Sequence, residues 1–221
     1  MSKPRNFAEL QRHMTQILRA ADCDMAALDA RLLLSHMSGL DETQLAMKAE
    51  QAVPHAFHVR ARQLVDLRAS GKPVAKIIGH KEFWGRQFCV SQAVLDPRPD
   101  SETLIEAALP LLPPEQDLQL IDLGTGSGCL LLTLLAERPC ARGLGIDKSR
   151  AALRMARRNA HLLGLRRRVA LRHGNWLQGV KMPADMIIAN PPYIKTAEIA
   201  GLVKSVRLFD PHVALDGGAD G

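Results

Sequence analysis

The sequence predicts an α/β protein, a parallel sheet wound with helices, preceded by a small α-helical bundle and a β-hairpin linker. Three observations predict it. From Leu118 onward, short apolar runs alternate with segments of helical period, the rhythm of strand–helix–strand units. Before Ser70 the apolar residues recur at helical spacing alone. Between these regions Ile77, Ile78 and the residues from Glu82 to Val90 are rich in β-formers around glycines.

The helical region opens at Asn6, which with Glu9 forms a capping pair, and Phe7, Leu10, Met14, Ile17 and Leu18 make its first apolar stripe. Leu28, Leu32, Leu33 and Met37 make a second, and Phe57, Ala61, Leu64 and Val65 another after Pro54. Four short amphipathic helices of this kind build a bundle, here residues 1–72. His55 and His58 share a helical face but lack a third ligand nearby, so they read as exposed polar positions. Residues 73–98 read as the hairpin linker. Residues 99–221 form the sheet domain, which starts with Asp100 as N-cap of a helix burying Leu104, Ile105, Ala108 and Leu109. Its strands are expected at 118–123, 141–146, 169–173 and 185–189, with helices at 127–137 and 150–163.

In such sheets ligands bind beyond the carboxyl ends of the strands, and the polar residues of this chain collect there. After the first strand come Asp122, Leu123, Gly124, Thr125, Gly126, Ser127 and Gly128. The glycines allow a tight turn and close backbone approach, and the helix that follows offers free N–H groups. Cys129 stands where a dinucleotide fingerprint needs its third Gly, and no Lys follows as in a phosphate-binding P-loop, so neither motif is met. Asp147 closes the second strand, where a carboxylate can accept from both hydroxyls of a ribose.

The fourth strand ends in Asn190, Pro191, Pro192 and Tyr193. Prolines stop the ladder and carry no N–H, leaving carbonyl acceptors beside the Asn amide and an aromatic plate. That set suits a planar NH2 group, whether a carboxamide or an exocyclic base amine.

Asp-x-Gly-x-Gly-x-Gly with a ribose acid resembles the S-adenosylmethionine-dependent methyltransferases, and Asn-Pro-Pro-Tyr resembles those that methylate adenine N6 or the glutamine amide. Two more stretches narrow the likeness: Gly79, Phe83, Trp84, Gly85 and Phe88, then Val94, Leu95, Asp96, Pro97, Arg98, Pro99, Asp100, Ser101 and Glu102. They resemble the hallmark of the release factor glutamine methyltransferases, the HemK/PrmC family, and the likeness extends back through Leu28, Asp29, Ala30, Arg31, Leu32, Leu33 and Leu34. The resemblance implies a Rossmann-like S-adenosylmethionine-dependent methyltransferase sheet, with the helical domain recognising substrate. It implies that residues Gly124, Thr125, Gly126, Ser127 and Gly128 cradle the methionine part of S-adenosyl-L-methionine, that Asp147 holds the ribose and that Trp176 flanks the adenine. It further implies that Asn190 touches cofactor and substrate, and that Pro191, Pro192 and Tyr193 complete a glutamine pocket. The substrate would be the glutamine of the Gly-Gly-Gln motif in a peptide chain release factor. Asn175 and Asp210 stand where the family usually has Asp and Glu.

Alternatives within reach of the same motifs are glutamine methylation of a ribosomal protein, adenine-N6 methylation of nucleic acid, or a truncated, catalytically weak binding module. No separate target-recognition domain is legible, so no direct nucleic-acid substrate is expected. Of the 221 residues 47% are hydrophobic and 24% charged, and the net charge is +6. Arg154, Arg157, Arg158, Arg166, Arg167 and Arg168 hold much of that excess; they read as a solvated helix face, with contact to an RNA-rich assembly as the alternative. Cys23, Cys89, Cys129 and Cys140 have neither disulfide nor zinc spacing, and no run is long enough for a membrane span, so a cytoplasmic protein without a metal is expected. With four strands read before Gly221, three more strands and two helices would need about 60 further residues. The sheet is therefore expected to be C-terminally incomplete, and the chain less stable and less active than an intact relative.

Overall fold

The computed structural model describes residues 3–221, which fall into two units divided between Ile78 and Gly79. The first is helical: α1 (Phe7–Ala20), α2 (Ala26–Ser38), α3 (Glu42–Met47), α4 (His55–Ala69) and α5 (Val74–Ile78). Asn6 Oδ1 accepts the Glu9 N–H at 2.8 Å and caps α1, while the Glu9 carboxylate accepts the Arg5 N–H at 2.7 Å instead of closing back on Asn6. Phe7, Leu10, Met14 and Leu18 of α1 meet Ala30, Leu33 and Leu34 of α2 and Ala61, Leu64 and Val65 of α4 in one core. Leu32 is 39% exposed, because the buried stripe of α2 runs through Ala26 and Ala30 instead. Asp29 lies in that stripe and is paired with Arg68 at 2.6 Å. Ile77 and Ile78 end α5 and pack on the bundle core, so this β-branched pair is helical where its composition suggested strand.

The second unit begins with a hairpin of β1 (His80–Phe83) and β2 (Arg86–Cys89), paired antiparallel from His80 with Cys89 to Phe83 with Arg86. Trp84 and Gly85 turn it with φ of 51° and 65°, the double positive φ of a tight two-residue turn. Phe83 and Phe88 meet edge to face at 6.1 Å and join the sheet core. Asp100 does not cap α6 (Glu102–Ala108); it sits inside a 3-10 turn, Pro99–Ser101, that leads into the helix. Pro99 fixes a helical φ one residue ahead of Asp100, so the helical geometry starts too early for that side chain to cap.

Then follow β3 (Gln119–Leu123), α7 (Cys129–Glu137), β4 (Arg142–Asp147), α8 (Arg150–Leu162), β5 (Val169–His173) and β6 (Met186–Ala189). The four strands are parallel in the order β5-β4-β3-β6, a Rossmann-like sheet. The chain steps outward from β3 to β5 and then returns to lay β6 on the other side of β3, so the strand order reverses there. Above such a reversal the loops diverge and leave a crevice at the carboxyl ends. α7 buries Leu130, Leu131, Leu132, Leu134 and Leu135, and Gly143 makes room for it: a Cβ there would lie 2.6 Å from Leu131 Cδ1. α8 buries Leu153, Ala156, Asn159 and Ala160 and turns its arginines outward. Arg168 differs from its basic neighbours, donating to the carbonyls of Arg138 (2.9 Å) and Ala141 (3.1 Å). The chain continues through β7 (Ile194–Lys195), α9 (Lys204–Arg207) and β8 (Asp216–Gly218), with β7 and β8 paired in parallel. Among the described residues no helix is long and apolar enough to cross a membrane.

Candidate functional site

The cleft lies where the strand order reverses. The loop after β3 is bent over β4 because Gly124 and Thr125 both donate backbone N–H to Ile146 O, at 2.9 and 3.0 Å. Gly124, Gly126 and Gly128 all have positive φ, which explains the alternate glycines of the motif. At Gly128 a Cβ would also lie 2.8 Å from Leu132 Cδ1. Asp147, at the end of β4, accepts Gly126 N–H at 2.9 Å with Oδ2 and Ser149 N–H at 2.7 Å with Oδ1. It thus braces the glycine loop and opens α8, and each oxygen keeps a lone pair for a further donor.

Gly124, Thr125, Gly126, Ser127, Asp147, Trp176, Asn190 and Pro192 line this cleft together. Gly128, Pro191 and Tyr193 do not: Gly128 starts α7 behind the loop, and Tyr193 is 72% exposed. Trp176 stands half exposed at the rim with φ of 50°. Asn190 Nδ2 donates to Ser101 Oγ at 3.1 Å, and its Oδ1 makes no hydrogen bond among the described residues. The loop beyond Asn190 is held from behind. A Cβ on Gly217 would lie 2.9 Å from Pro192 O, and one on Gly221 2.9 Å from Tyr193 O.

The floor holds a residue to which sequence reasoning assigned no role. Asp122 is 1% exposed; its Oδ2 accepts from Thr125 Oγ1 at 2.6 Å, and its Oδ1 has no hydrogen-bond partner among the described residues. Burial pushes its carboxyl up to about 7, the nearby Asp147 charge adds to this and the Thr125 hydroxyl opposes it. Burial also pushes the Cys129 thiol up to about 12, so this cysteine is an inert part of the wall. Ser101 and Arg98 line the cleft as well, from the stretch that had served only as a family hallmark. Its signal was present, two prolines and an Asp-Ser-Glu run before a helix, but nothing local says which strand end it faces.

A cradle of positive-φ backbone, two carboxylates at the floor and side, an indole at the rim and an amide acceptor opposite can hold a ligand that combines cationic groups with a ribose and a flat base. The unpaired Asp122 Oδ1 fits a cationic ligand group, because an unpartnered buried oxygen is otherwise costly.

Residues 9–79 match the model of the PrmC N-terminal domain, and residues 91–208 that of the methyltransferase small domain. The chain is 45% identical over 204 residues to the release factor glutamine methyltransferase of Cereibacter sphaeroides, covering 92% of this chain and 72% of that protein. It is 46% identical over 214 residues to that of Bradyrhizobium diazoefficiens, covering 96% and 72%. To that of Rhodospirillum rubrum it is 45% identical over 204 residues, covering 92% of this chain and 62% of the relative.

Proposed function

The chain belongs to the release factor glutamine methyltransferase family, and from that premise we propose that it transfers a methyl group from S-adenosyl-L-methionine to the glutamine amide nitrogen in the Gly-Gly-Gln motif of peptide chain release factors. The observation that carries this reading is the convergence on one cleft of the glycine loop after β3, Asp147 after β4 and Asn190 after β6. A cytoplasmic setting follows from such a substrate.

S-adenosyl-L-methionine, when bound, supplies a methyl group made electrophilic by its sulfonium. In this reading Gly124, Thr125, Gly126 and Ser127 would cradle the methionine part, Gly128 would only shape the turn behind them, Asp147 would accept from the ribose and Trp176 would cover the adenine. Asp122 Oδ1 would face the cationic groups, whose charge favours the ionised form of its carboxyl. Asn190 Oδ1 and a prolyl carbonyl would take the two N–H groups of the substrate amide, with Tyr193, exposed beside the cleft, left to meet the rest of the substrate. An amide nitrogen is a poor nucleophile because its lone pair is delocalised, so the residues mainly have to aim it. Orientation of this kind supplies several kcal/mol, up to ~7–11 in ideal cases. As positive charge develops on nitrogen, the same two acceptors hold its protons more tightly, an interaction strongest in the transition state, and one of those protons then leaves to water to give the neutral N-methyl amide.

The test is incubation of purified protein with methyl-labelled cofactor and a release factor, read by mass spectrometry of the Gly-Gly-Gln peptide. Label on that glutamine, lost in Asn190→Ala while cofactor binding persists, is the expected result. Label on a ribosomal protein or on nucleic acid alone would overturn the substrate assignment.

A further inference from the structure

Between Asp147 and Asp185 the chain has no Asp or Glu but ten Lys and Arg, whereas the rest carries 19 cations against 23 acids and is net −4. The net positive charge of the protein is thus confined to one segment. In the fold, Arg150, Arg154, Arg157 and Arg158 stand exposed on the outer face of α8, opposite the buried Leu153, Ala156, Asn159 and Ala160. Arg166 and Arg167 continue the exposed face in the turn beyond the helix. The side chains of these six make no ion pair or hydrogen bond among the described residues. On a helix, like charges three and four apart repel, and Arg154 has such neighbours in Arg150, Arg157 and Arg158. A merely solvated face would gain from interleaved acids, and this one has none.

We propose that this arginine face binds the phosphate backbone of folded RNA. The cations on α8 and the turn beyond it are all arginine, whose planar fork suits phosphate better than an ammonium does. The centre of a protein–protein interface is depleted of charge, whereas nucleic-acid interfaces are strongly positive. No Phe, Tyr or Trp lies between Arg150 and Arg168, and His161 is the one ring there, too little for a stacking platform, so the face reads backbone and shape. The choice of RNA over DNA rests on the proposed substrate, a factor of translation. The face itself rests on charge and exposure alone.

The experiment is fluorescence anisotropy of a labelled RNA hairpin titrated with the whole chain at 50–200 mM KCl, with the matching DNA duplex and polyglutamate as parallel arms. Binding to the hairpin that weakens steeply with salt is expected. The triple variant Arg154→Gln, Arg157→Gln, Arg158→Gln should bind at least tenfold more weakly, with a log–log salt slope shallower by about one per arginine. Its melting temperature should be unchanged or higher, since only repulsion is removed. It should also still label free release factor, so failure of the RNA arm and failure of the methylation reading are separable. No hairpin binding at 50 mM KCl, equal binding by the triple variant, or a preference for DNA or polyglutamate would overturn the proposal.

Discussion

Asn190 and Ser101 are joined across 89 residues by a 3.1 Å hydrogen bond from the Asn190 side-chain amide to the Ser101 hydroxyl. The bond occupies Nδ2 and so fixes which end of the amide is left for a ligand: Oδ1, the acceptor end. It gives a physical reason for the two motifs to occur in one chain, since the loop before α6 holds the residue after β6 in its working rotamer.

Ser101→Ala is therefore expected to lower kcat threefold to tenfold, the worth of one such bond of about 0.5–1.5 kcal/mol, with little change in cofactor affinity. Ser101→Thr keeps the hydroxyl and should recover most of the loss. Steady-state kinetics with release factor beside calorimetry with S-adenosyl-L-methionine would separate the two. A purely structural residue would move the melting temperature and the affinity along with the rate.

Asp122 sets a pH dependence. Its carboxyl titrates near 7 in the folded chain against 3.8 for the ordinary group, so between these values the native state holds a proton that the unfolded state has lost. The contribution of Asp122 is complete below about pH 4, declines as pH rises and is gone above about 7, where a charged carboxylate is buried. The swing is on the order of a few kcal/mol. Asp122→Asn keeps an acceptor for Thr125 without the charge. The difference in melting temperature between this variant and the parent should favour the variant at pH 8 and shrink or reverse by pH 5. A difference constant across that range would contradict the assignment.

The alternation of strands and helices was legible because each strand is a short apolar run and each helix a stripe, and β5 falls where periodicity put it. Ile77 and Ile78 misled because β-branching is a weak local preference that packing on the bundle overrides. The glycine loop, Asp147 and Asn190 were legible because special backbone and strand-end chemistry leave local signatures. Ser101, Arg98 and Asp210 were not, since their partners lie 89 to 112 residues away. Asn159 lay in between: a lone polar residue on the apolar stripe of α8 is a sign of a buried hydrogen-bond hub, though not of its partners.

That hub is fully buried. Asn159 Oδ1 accepts Cys89 N–H at 2.8 Å, and its Nδ2 donates to the carbonyls of Cys89 at 3.1 Å and Ser127 at 2.8 Å. It ties β2, α8 and the glycine loop with one side chain. Asn159→Ala would leave a donor and two acceptors unmet and is expected to cost roughly 2–4 kcal/mol. A urea unfolding series on parent and variant measures it, and a loss below about 1 kcal/mol would mean that water replaces the side chain.

Arg98 and Asp210 close the cleft from its other side. They meet at 2.8 Å, with the Asp210 side chain 1% exposed and that of Arg98 41% exposed. Arg98 lines the cleft itself, and Asp210 precedes Pro211, which also lines it, so the pair pins two segments of the wall together. Its two halves are not equivalent. Removing the arginine takes the 2.8 Å ion-pair partner from a buried carboxylate and leaves it the more distant Lys81 charge, whereas neutralising the aspartate removes the buried charge and leaves a guanidinium that water can reach. Arg98→Met should therefore destabilise by about 1–3 kcal/mol and weaken S-adenosyl-L-methionine binding several-fold, and Asp210→Asn should do less of both. Melting curves and calorimetric Kd values for the two variants at pH 7.5 decide the matter. If Asp210→Asn proved the more damaging, the pair would not be acting as a clasp driven by the buried carboxylate, and the weight of this wall would fall on Asp210 as a hydrogen-bond acceptor instead.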